Sequence, residues 1–338
     1  MYLAPLNYDR FFRKIFADEK ISRRFLEDFL DVRIDEFQFL KERNLVTNDA
    51  SVVEFDFRCK IKNAYVIIDM QQWYKRDIAQ RFFLYHSLNS GLQLENLPIK
   101  RFAFPGKPGK SKPSKDYREL EPVLTLIWMV MDTLNFTNDY ICYLMAPEMV
   151  LDFLKNDKLW HEPDIKELLE ERKKVLEVVR NDTRNLDFLP KNRLVFMFQK
   201  NIVHNQLLKK YLNWFEFAEK TRDENNEKDD FAKYKGDEIF LEMIRRLRRD
   251  ELTEEDFAYI EDEKRTWEEV DRLERGIYED GKKDGEKLGI EKGEKLGIEK
   301  GQAEIIISMI KHGMDIESIA KVTGLSHSKL EEIMKISG

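Results

Sequence analysis

The clearest alternation of apolar and polar residues lies between Ser51 and Gln72 and predicts a β-hairpin. Val53, Phe55 and Phe57 alternate with charged residues, which is the period of a half-buried strand. The lysine and asparagine at positions 62–63 suit a tight turn. An apolar, β-branched run follows at residues 65–68, and its composition is typical of a central strand.

Three polar side chains interrupt this apolar setting: Asp56 on the first strand, and Asp69 and Gln71 at the end of the second. Residues two apart on a strand share a face, so Asp69 and Gln71 point the same way. A carboxylate on the adjacent strand can converge with them. Because hard divalent cations prefer oxygen ligands, the pattern predicts a metal site at this end of the hairpin.

Patterning elsewhere predicts an α/β fold, with a mixed central sheet flanked by helices and followed by a helical C-terminal region. Segments with helical spacing of apolar residues are 9–30, 77–94, 163–179 and 204–219, and strand-like segments lie within 33–46 and at 123–130, 140–145 and 193–198. Asp9 is interpreted as the N-cap of the first helix, with a further acid near the metal as the alternative.

Composition indicates a globular protein with a strongly solvated helical part. The 338 residues are 42% apolar and 36% charged, with a net charge of −7. No apolar run approaches the ~20 residues of a membrane helix, and the first residues lack a secretory-signal pattern. Cys59 and Cys142 make no disulfide framework, and the five histidines have no zinc-site spacing. We therefore expect a cytoplasmic protein without membrane association.

The combination of Asp56 with Asp69-Met70-Gln71 resembles the active site of the PD-(D/E)XK nuclease superfamily. It is most similar to the transposase-like branch that includes the recombination-promoting nucleases, in which acid-x-Gln commonly replaces acid-x-Lys. Three flanking segments are similar to that branch and occur in the same order: 9–16 (DRFFRKIF), 81–85 (RFFLY) and 117–127 (YRELEPVLTLI). The resemblance continues weakly through 193–217.

This resemblance implies a restriction-endonuclease-like fold over residues 1–220 and a metal-dependent DNA endonuclease that hydrolyses phosphodiester bonds. Asp56 and Asp69 would bind Mg²⁺ or Mn²⁺, and Gln71 would orient the attacking water where relatives use lysine. Glu54 is a candidate auxiliary acid. The missing positive charge has three candidate sources, Lys60, Lys62 and Lys75. The alternative function is a catalytically degenerate DNA-binding or scaffold protein that keeps the fold.

Two regions are candidates for contact with DNA. Arg81 and Tyr85 are one helical turn apart and are interpreted as a phosphate contact and a support of the site, or else as a surface arginine and a core tyrosine. Residues 100–115 are rich in lysine, proline and glycine, which predicts an exposed loop. Its charge suits a DNA backbone, with a solvated linker as the alternative. The candidate lysines are Lys107, Lys110, Lys112 and Lys115.

The C-terminal third is predicted to be helical. Polar residues 221–230 indicate a loop within a charged helical region, 221–280, of which 237–279 is interpreted as exposed or self-associating helix. From position 281 to 301 every fourth residue is glycine. Because each glycine costs about 1 kcal/mol in a helix interior, the repeat at 281–302 indicates either a homo-oligomerisation helix or a tether.

Residues 303–338 are similar in pattern to a helix-turn-helix unit. A short helix around 305–310 ends near Gly313, a second helix spans 315–322, and Gly324 lies in the turn before a third helix at 327–335. Ala320 is expected at the helix crossing. The alternative is a small capping or dimerisation unit.

Overall fold

The computed structural model describes residues 1–41, 43–45, 52–103, 111–161, 165–180, 186–326 and 330, and the chain divides into two compact units, Met1–Ile260 and Glu261–Gly338. The helices are α1 (Asp9–Phe16), α2 (Glu19–Leu30), α3 (Ile78–Leu92), α4 (Glu148–Lys155), α5 (Asp157–His161), α6 (Ile165–Val179), α7 (Gln199–Asn205), α8 (Leu212–Thr221), α9 (Glu238–Leu247), α10 (Glu254–Lys311) and α11 (Ile316–Thr323). The strands are β1 (Phe37–Phe39), β2 (Arg43–Leu45), β3 (Val52–Glu54), β4 (Phe57–Ile61), β5 (Ala64–Gln71), β6 (Ile99–Ala103), β7 (Ser111–Lys115), β8 (Val123–Met129), β9 (Tyr140–Leu144) and β10 (Arg193–Phe198).

A six-stranded mixed sheet, ordered β1-β4-β5-β8-β10-β9, forms the centre of the first unit. Strand β4 is antiparallel to both β1 and β5, β8 lies parallel to both β5 and β10, and β9 forms one edge, antiparallel to β10. The predicted α/β class with a mixed sheet is therefore confirmed. β5 is central and buried along its whole length, as its continuous apolar run predicts.

Helices cover both faces of this sheet. On one face, α3 packs Ile78 and Phe82 against Ile127 and Met129 of β8. On the other face, the ring of Trp128 lies 5.8 Å from Phe12 of α1, 5.6 Å from Phe25 of α2 and 4.2 Å from Phe215 of α8. Successive strand residues point to opposite faces, so Ile127 and Met129 pack against α3 while Trp128 packs against the helices on the other face.

The single helix predicted for residues 9–30 is wrong, because the structure has two. α1 ends before Ala17, and the Asp18 side chain accepts hydrogen bonds from the backbone N–H groups of Lys20 and Ile21 as the N-cap of α2. A short acidic side chain that caps a helix favours a new start over continuation. The helix predicted for 204–219 is likewise divided, since α7 ends at Asn205 and Gln206 adopts a left-handed conformation with φ of 52°.

The exposed loop predicted for residues 100–115 is also wrong, because β6 and β7 pair there as an antiparallel hairpin. Pro113 lies in β7 at the edge of this two-stranded sheet, a position that tolerates a residue without an N–H donor. Residues 104–110 lie outside the described part of the chain.

Residues 221–260 pack as part of the first unit, so the predicted domain boundary at residue 220 lies inside a compact body. The interpretation of 237–279 as exposed helix is wrong at its start, because α9 buries Phe240, Met243 and Leu247. Residues 221–230 form turns and the start of a 3-10 helix, Lys228–Tyr234.

Asn226, buried within those turns, fixes the first residues of the chain. Its Oδ1 accepts the backbone N–H groups of Tyr2 and Leu3 at 2.9 and 2.7 Å, and its Nδ2 donates to the Leu3 carbonyl at 3.0 Å.

In the second unit, the glycine repeat lies within α10, which is one continuous helix of 58 residues. The short helix predicted around 305–310 is the end of α10 and not a separate element. Ile306, Ile319 and Leu330 form a small core, against which Ala320 packs as expected. Gly324 ends α11 with φ of +70°, a conformation that glycine adopts without strain. The predicted third helix lies almost wholly outside the described residues, and no described helix is long and apolar enough to span a bilayer.

Replacing Asn226 with alanine removes hydrogen bonds from backbone groups that remain buried. We expect Asn226→Ala to lower the free energy of unfolding by about 2–4 kcal/mol, measured by urea denaturation. Asn225→Ala, at the exposed neighbouring position, is the matched control and should stay within about 0.5 kcal/mol of the wild type. Equal stability of the two variants would contradict the role of Asn226.

Candidate active site

Asp56 lies in a bend between β3 and β4, and its prediction as a strand residue is wrong. The alternation of apolar residues continues through this point, with Phe55 and Phe57 both buried, but β3 pairs with β2 while β4 pairs with β5. The bend turns the Asp56 carboxylate toward β5. Its Oδ2 accepts the backbone N–H of Met70 at 2.9 Å.

Asp69 and Gln71 share one face of β5, as the strand period predicts. Asp69 is 1% exposed, and its Oδ1 accepts Gln71 Nε2 at 3.0 Å. Its Oδ2 is buried and has no hydrogen-bond partner among the described residues. Buried carboxylate oxygens are normally satisfied, so this atom is the acceptor of the site that stays unpaired within the described structure.

Arg81 reaches this face from the first turn of α3. Its Nη1 donates to Gln71 Oε1 at 3.2 Å, its Nη2 lies 3.9 Å from Asp69 Oδ1, and its Nε donates to the Tyr85 hydroxyl at 3.2 Å. The Tyr85 ring packs against the sheet core. Arg81 is therefore held between a tyrosine on its own helix and two polar residues of β5, and the predicted proximity of Arg81 and Tyr85 is confirmed.

Arg13 is the site residue that sequence reasoning missed. It projects from α1 and binds two acids, with Nη2 3.1 Å from Asp56 Oδ1 and Nη1 2.5 Å from Glu54 Oε1. Although burial opposes the guanidinium charge, Glu54 and Asp56 raise the pKa of Arg13 above its ordinary value. A signal existed, because Arg13 lies within the DRFFRKIF segment that is similar to the nuclease family.

Burial and neighbouring acids raise the pKa of Asp69 well above its ordinary value. Burial contributes most, followed by the charge of Asp56, while Arg81 and the hydrogen bond from Gln71 act in the opposite direction. Asp9 also raises this pKa. The interpretation of Asp9 as a helix N-cap is wrong, because Tyr8 is the N-cap and Asp9 begins α1.

The three lysines considered as the missing cation are placed elsewhere. Lys60 pairs with Glu121 at 3.0 Å, Lys62 lies in the hairpin turn at the far end of β5, and Lys75 is exposed in the segment before α3. Arginines 13 and 81 are the cations that contact the site acids.

The candidate DNA-binding lysines differ in their surroundings. Lys112 is exposed on β7. Lys115 instead donates to the backbone carbonyls of Glu95 and Leu97 at 3.3 and 3.0 Å, which holds β7 against the preceding segment. Lys107 and Lys110 lie outside the described residues.

Asp56 and Asp69 suit a hard divalent cation that takes only one or two of its ligands from the protein. Asp69 Oδ2 is available, and Asp56 is close enough to act on the pKa of Asp69. Within the described part of the chain, no group of three or more His, Cys, Asp or Glu side chains is placed to hold a metal. Mg²⁺ is commonly held by one or two carboxylates, with water and substrate oxygens as its other ligands.

Comparison with known proteins identifies no relatives for this arrangement. No family model, no curated protein and no solved structure matches the chain.

The raised pKa of Asp69 predicts how stability depends on pH. A carboxyl whose pKa is higher in the folded protein than in the unfolded chain stabilises the fold at low pH, and this contribution is lost as pH rises from the unfolded value through the folded one. Because asparagine does not ionise, Asp69→Asn does not lose this stability as pH rises. In the presence of a chelator, its stability relative to the wild type should therefore increase with pH from about 4 upward, by up to about 1.4 kcal/mol per pH unit.

Urea denaturation over a pH series measures this difference. Asp229→Asn, at an exposed position of the 3-10 helix Lys228–Tyr234, is the control for removal of a carboxylate and should show no comparable rise relative to the wild type. A stability difference between Asp69→Asn and wild type that stays constant with pH would refute the raised pKa.

Proposed function

We propose that the chain is a metal-dependent DNA endonuclease of the transposase or recombination-promoting type, with a restriction-endonuclease-like core. One observation carries the proposal: buried Asp69, whose Oδ2 has no hydrogen-bond partner among the described residues, lies beside Asp56 and is flanked by Gln71 and Arg81. The mixed sheet between helices, and the α3 helix that directly follows β5, support it. Both agree with the resemblance to the PD-(D/E)XK nucleases.

In this proposal Asp56 and Asp69 hold Mg²⁺ or Mn²⁺, which when bound supplies Lewis acidity toward a water molecule and the scissile phosphate. Gln71 carries no charge, so its amide orients the attacking water by hydrogen bonding alone. Arg81 holds the Gln71 amide in place and contributes the positive charge that lysine provides in acid-x-Lys relatives. Arg13 fixes the Asp56 carboxylate from the opposite side.

The DNA backbone would follow the exposed positive charge near this face. Arg76 and Lys75 are exposed in the segment that joins β5 to α3, and Lys112 is exposed on the β6–β7 hairpin. Contacts of this kind supply affinity without sequence specificity. Lys107 and Lys110 remain candidates for the same role, and a DNA substrate is consistent with the cytoplasmic location expected from the cysteine pattern.

The ion pair between Arg13 and Asp56 favours a second candidate, a catalytically inactive DNA-binding or scaffold protein that keeps this fold. A guanidinium already neutralises one of the two acids at 3.1 Å, and Gln71 brings no charge of its own. Binding without cleavage distinguishes this candidate from the nuclease.

Cleavage of supercoiled plasmid tests the two candidates directly. We expect the wild type to nick or linearise the plasmid with Mg²⁺ or Mn²⁺, and Asp56→Asn and Asp69→Asn to lose at least about a hundredfold in rate, because each removes one metal-binding carboxylate. Asp229→Asn should cleave like the wild type. All four proteins could instead shift the plasmid in a gel with Ca²⁺, while none of them cleaves it with Mg²⁺ or Mn²⁺. In that case the binding or scaffold candidate replaces the nuclease.

Arg81 is expected to matter for rate more than for folding. Arg81→Met removes both the donor to Gln71 and the charge near Asp69, so cleavage should fall by roughly ten- to a hundredfold, while Arg81→Lys should retain part of the activity because it keeps the charge. Arg76→Met, at an exposed position, controls for loss of an arginine that binds DNA only through charge. If both methionine variants lose the same activity, Arg81 acts only in DNA binding.

A further inference from the structure

The segment between β9 and β10 forms helices without a core of its own. It contains α4, α5, α6 and the 3-10 helix Leu186–Lys191, and Leu159 is the only buried residue described between positions 145 and 191. Helices gain most of their stability by burying an apolar face. The segment therefore presents apolar faces that the described residues leave open.

These faces are extensive and contiguous. Large apolar side chains on β9 and on each of the three helices are about half exposed, among them Leu144, Leu154, Leu169 and Val179. Several line one groove of about 350 Å³, which joins the end of β9 to α6. We call β9 together with α4, α5 and α6 the β9 edge surface.

The size of the β9 edge surface matches a protein interface. Ten large apolar side chains on β9, α4, α5 and α6 are between 41% and 68% exposed. The largest apolar patch on a monomer is usually about 300–600 Å² and is often functional. A standard interface buries about 800 Å² per partner, of which a little over half is apolar.

β9 itself lacks the features that protect edge strands. Its sequence, YICYL, contains no charge and no proline, and in the described structure it pairs with β10 alone. Exposed edges are usually guarded by lysine, proline or a bulge, because free N–H and C=O groups can pair with another strand. The short β6–β7 hairpin, with its lysines and proline, is guarded in this way.

A partner that binds the β9 edge surface has to provide both a β-strand and an apolar face. The described residues of 261–338 are helical or turn and offer no strand. The undescribed residues of the segment itself, 162–164 and 181–185, are polar apart from one proline. A second copy of the chain provides both features, because two identical edge strands can pair antiparallel about a two-fold axis.

We propose that the β9 edge surface is the interface of a homodimer, in which β9 pairs antiparallel with its counterpart and the α4–α6 helices pack across the axis. The proposal goes beyond the nuclease activity and does not depend on it. It also differs from oligomerisation through the glycine repeat of α10. A two-fold axis at the centre of β9 places Cys142 opposite the same residue of the second copy.

Solution mass measures the dimer directly. Sedimentation velocity of the full chain should give twice the 40.6 kDa chain mass at micromolar concentration. Leu144→Lys and Leu154→Lys each place two charges in a two-fold interface and should weaken association at least tenfold. Leu208→Lys is the matched control, because Leu208 is 99% exposed in the segment between α7 and α8, and it should dimerise like the wild type.

Cross-linking tests the register independently of mass. The chain has two cysteines, and burial raises the pKa of both thiols. Cys59 is fully buried while Cys142 is only partly buried, so Cys142 is the thiol that a reagent can reach. Opposite residues on paired strands have Cβ atoms about 5 Å apart. A short bis-maleimide should therefore give a covalent dimer with the wild type, and none with Cys142→Ser.

Three outcomes would overturn the proposal. The wild type could be monomeric at micromolar concentration, which would mean that the surface is covered within one chain. The lysine variants at 144 and 154 could dimerise as tightly as the wild type, which would place the interface elsewhere, for example on α10. The wild-type dimer could also give no Cys142 cross-link, which would exclude the two-fold pairing of β9. Circular dichroism of each variant verifies that it is folded.

Discussion

The burial of Asp69 beside a second carboxylate, Asp56, is the constraint on which the candidate site depends. One of these acids is almost completely buried, and its pKa is raised by burial and by the other. Like charges in a low-dielectric setting destabilise a fold unless neighbouring groups offset them. Here the offset comes from three separate elements: Arg13 on α1, the Met70 N–H on β5, and Arg81 on α3.

The opposite face of β5 provides rigid support for this site. There Gln199 accepts Trp128 Nε1 at 2.6 Å and exchanges hydrogen bonds with Asn7 at 3.1 and 3.0 Å, while Gln72 donates to the Asn7 carbonyl at 2.9 Å. These buried groups are satisfied by one another, which makes a polar network stabilising and geometrically specific. The network links Asn7 near the start of α1, Gln72 at the end of β5, Trp128 of β8 and Gln199 at the start of α7.

The sequence predicts elements that are determined by neighbouring residues. It does not predict features that depend on contacts between residues far apart in the chain. The hairpin turn, the strand bounds at 193–198 and the shared face of Asp69 and Gln71 follow from apolar runs and the two-residue period. The bend at Asp56 was missed because Phe55 and Phe57 preserve the alternation through it. Arg13 was missed because its acids lie about 40 residues further along the chain. The β6–β7 hairpin is not distinguished from a loop by sequence. Its lysines and proline are typical of loops and are also typical of protected edge strands.

The sheet links the candidate site to the proposed dimer interface. β5 carries Asp69, and β8 and β10 separate it from the open edge at β9, a distance of about 14 Å at the usual strand spacing. The long segment that continues the edge surface is inserted between β9 and β10, so it adds apolar area without disturbing the pairing of β5 with β8. Association through this edge would thus leave both acid faces accessible while relating them by one two-fold axis. Two sites related in this way suit an enzyme that acts on both strands of a duplex, and the same symmetry suits a scaffold that bridges two segments of DNA. The geometry of the edge therefore favours a dimer under either candidate function, and the chemistry at Asp56 and Asp69 alone separates them.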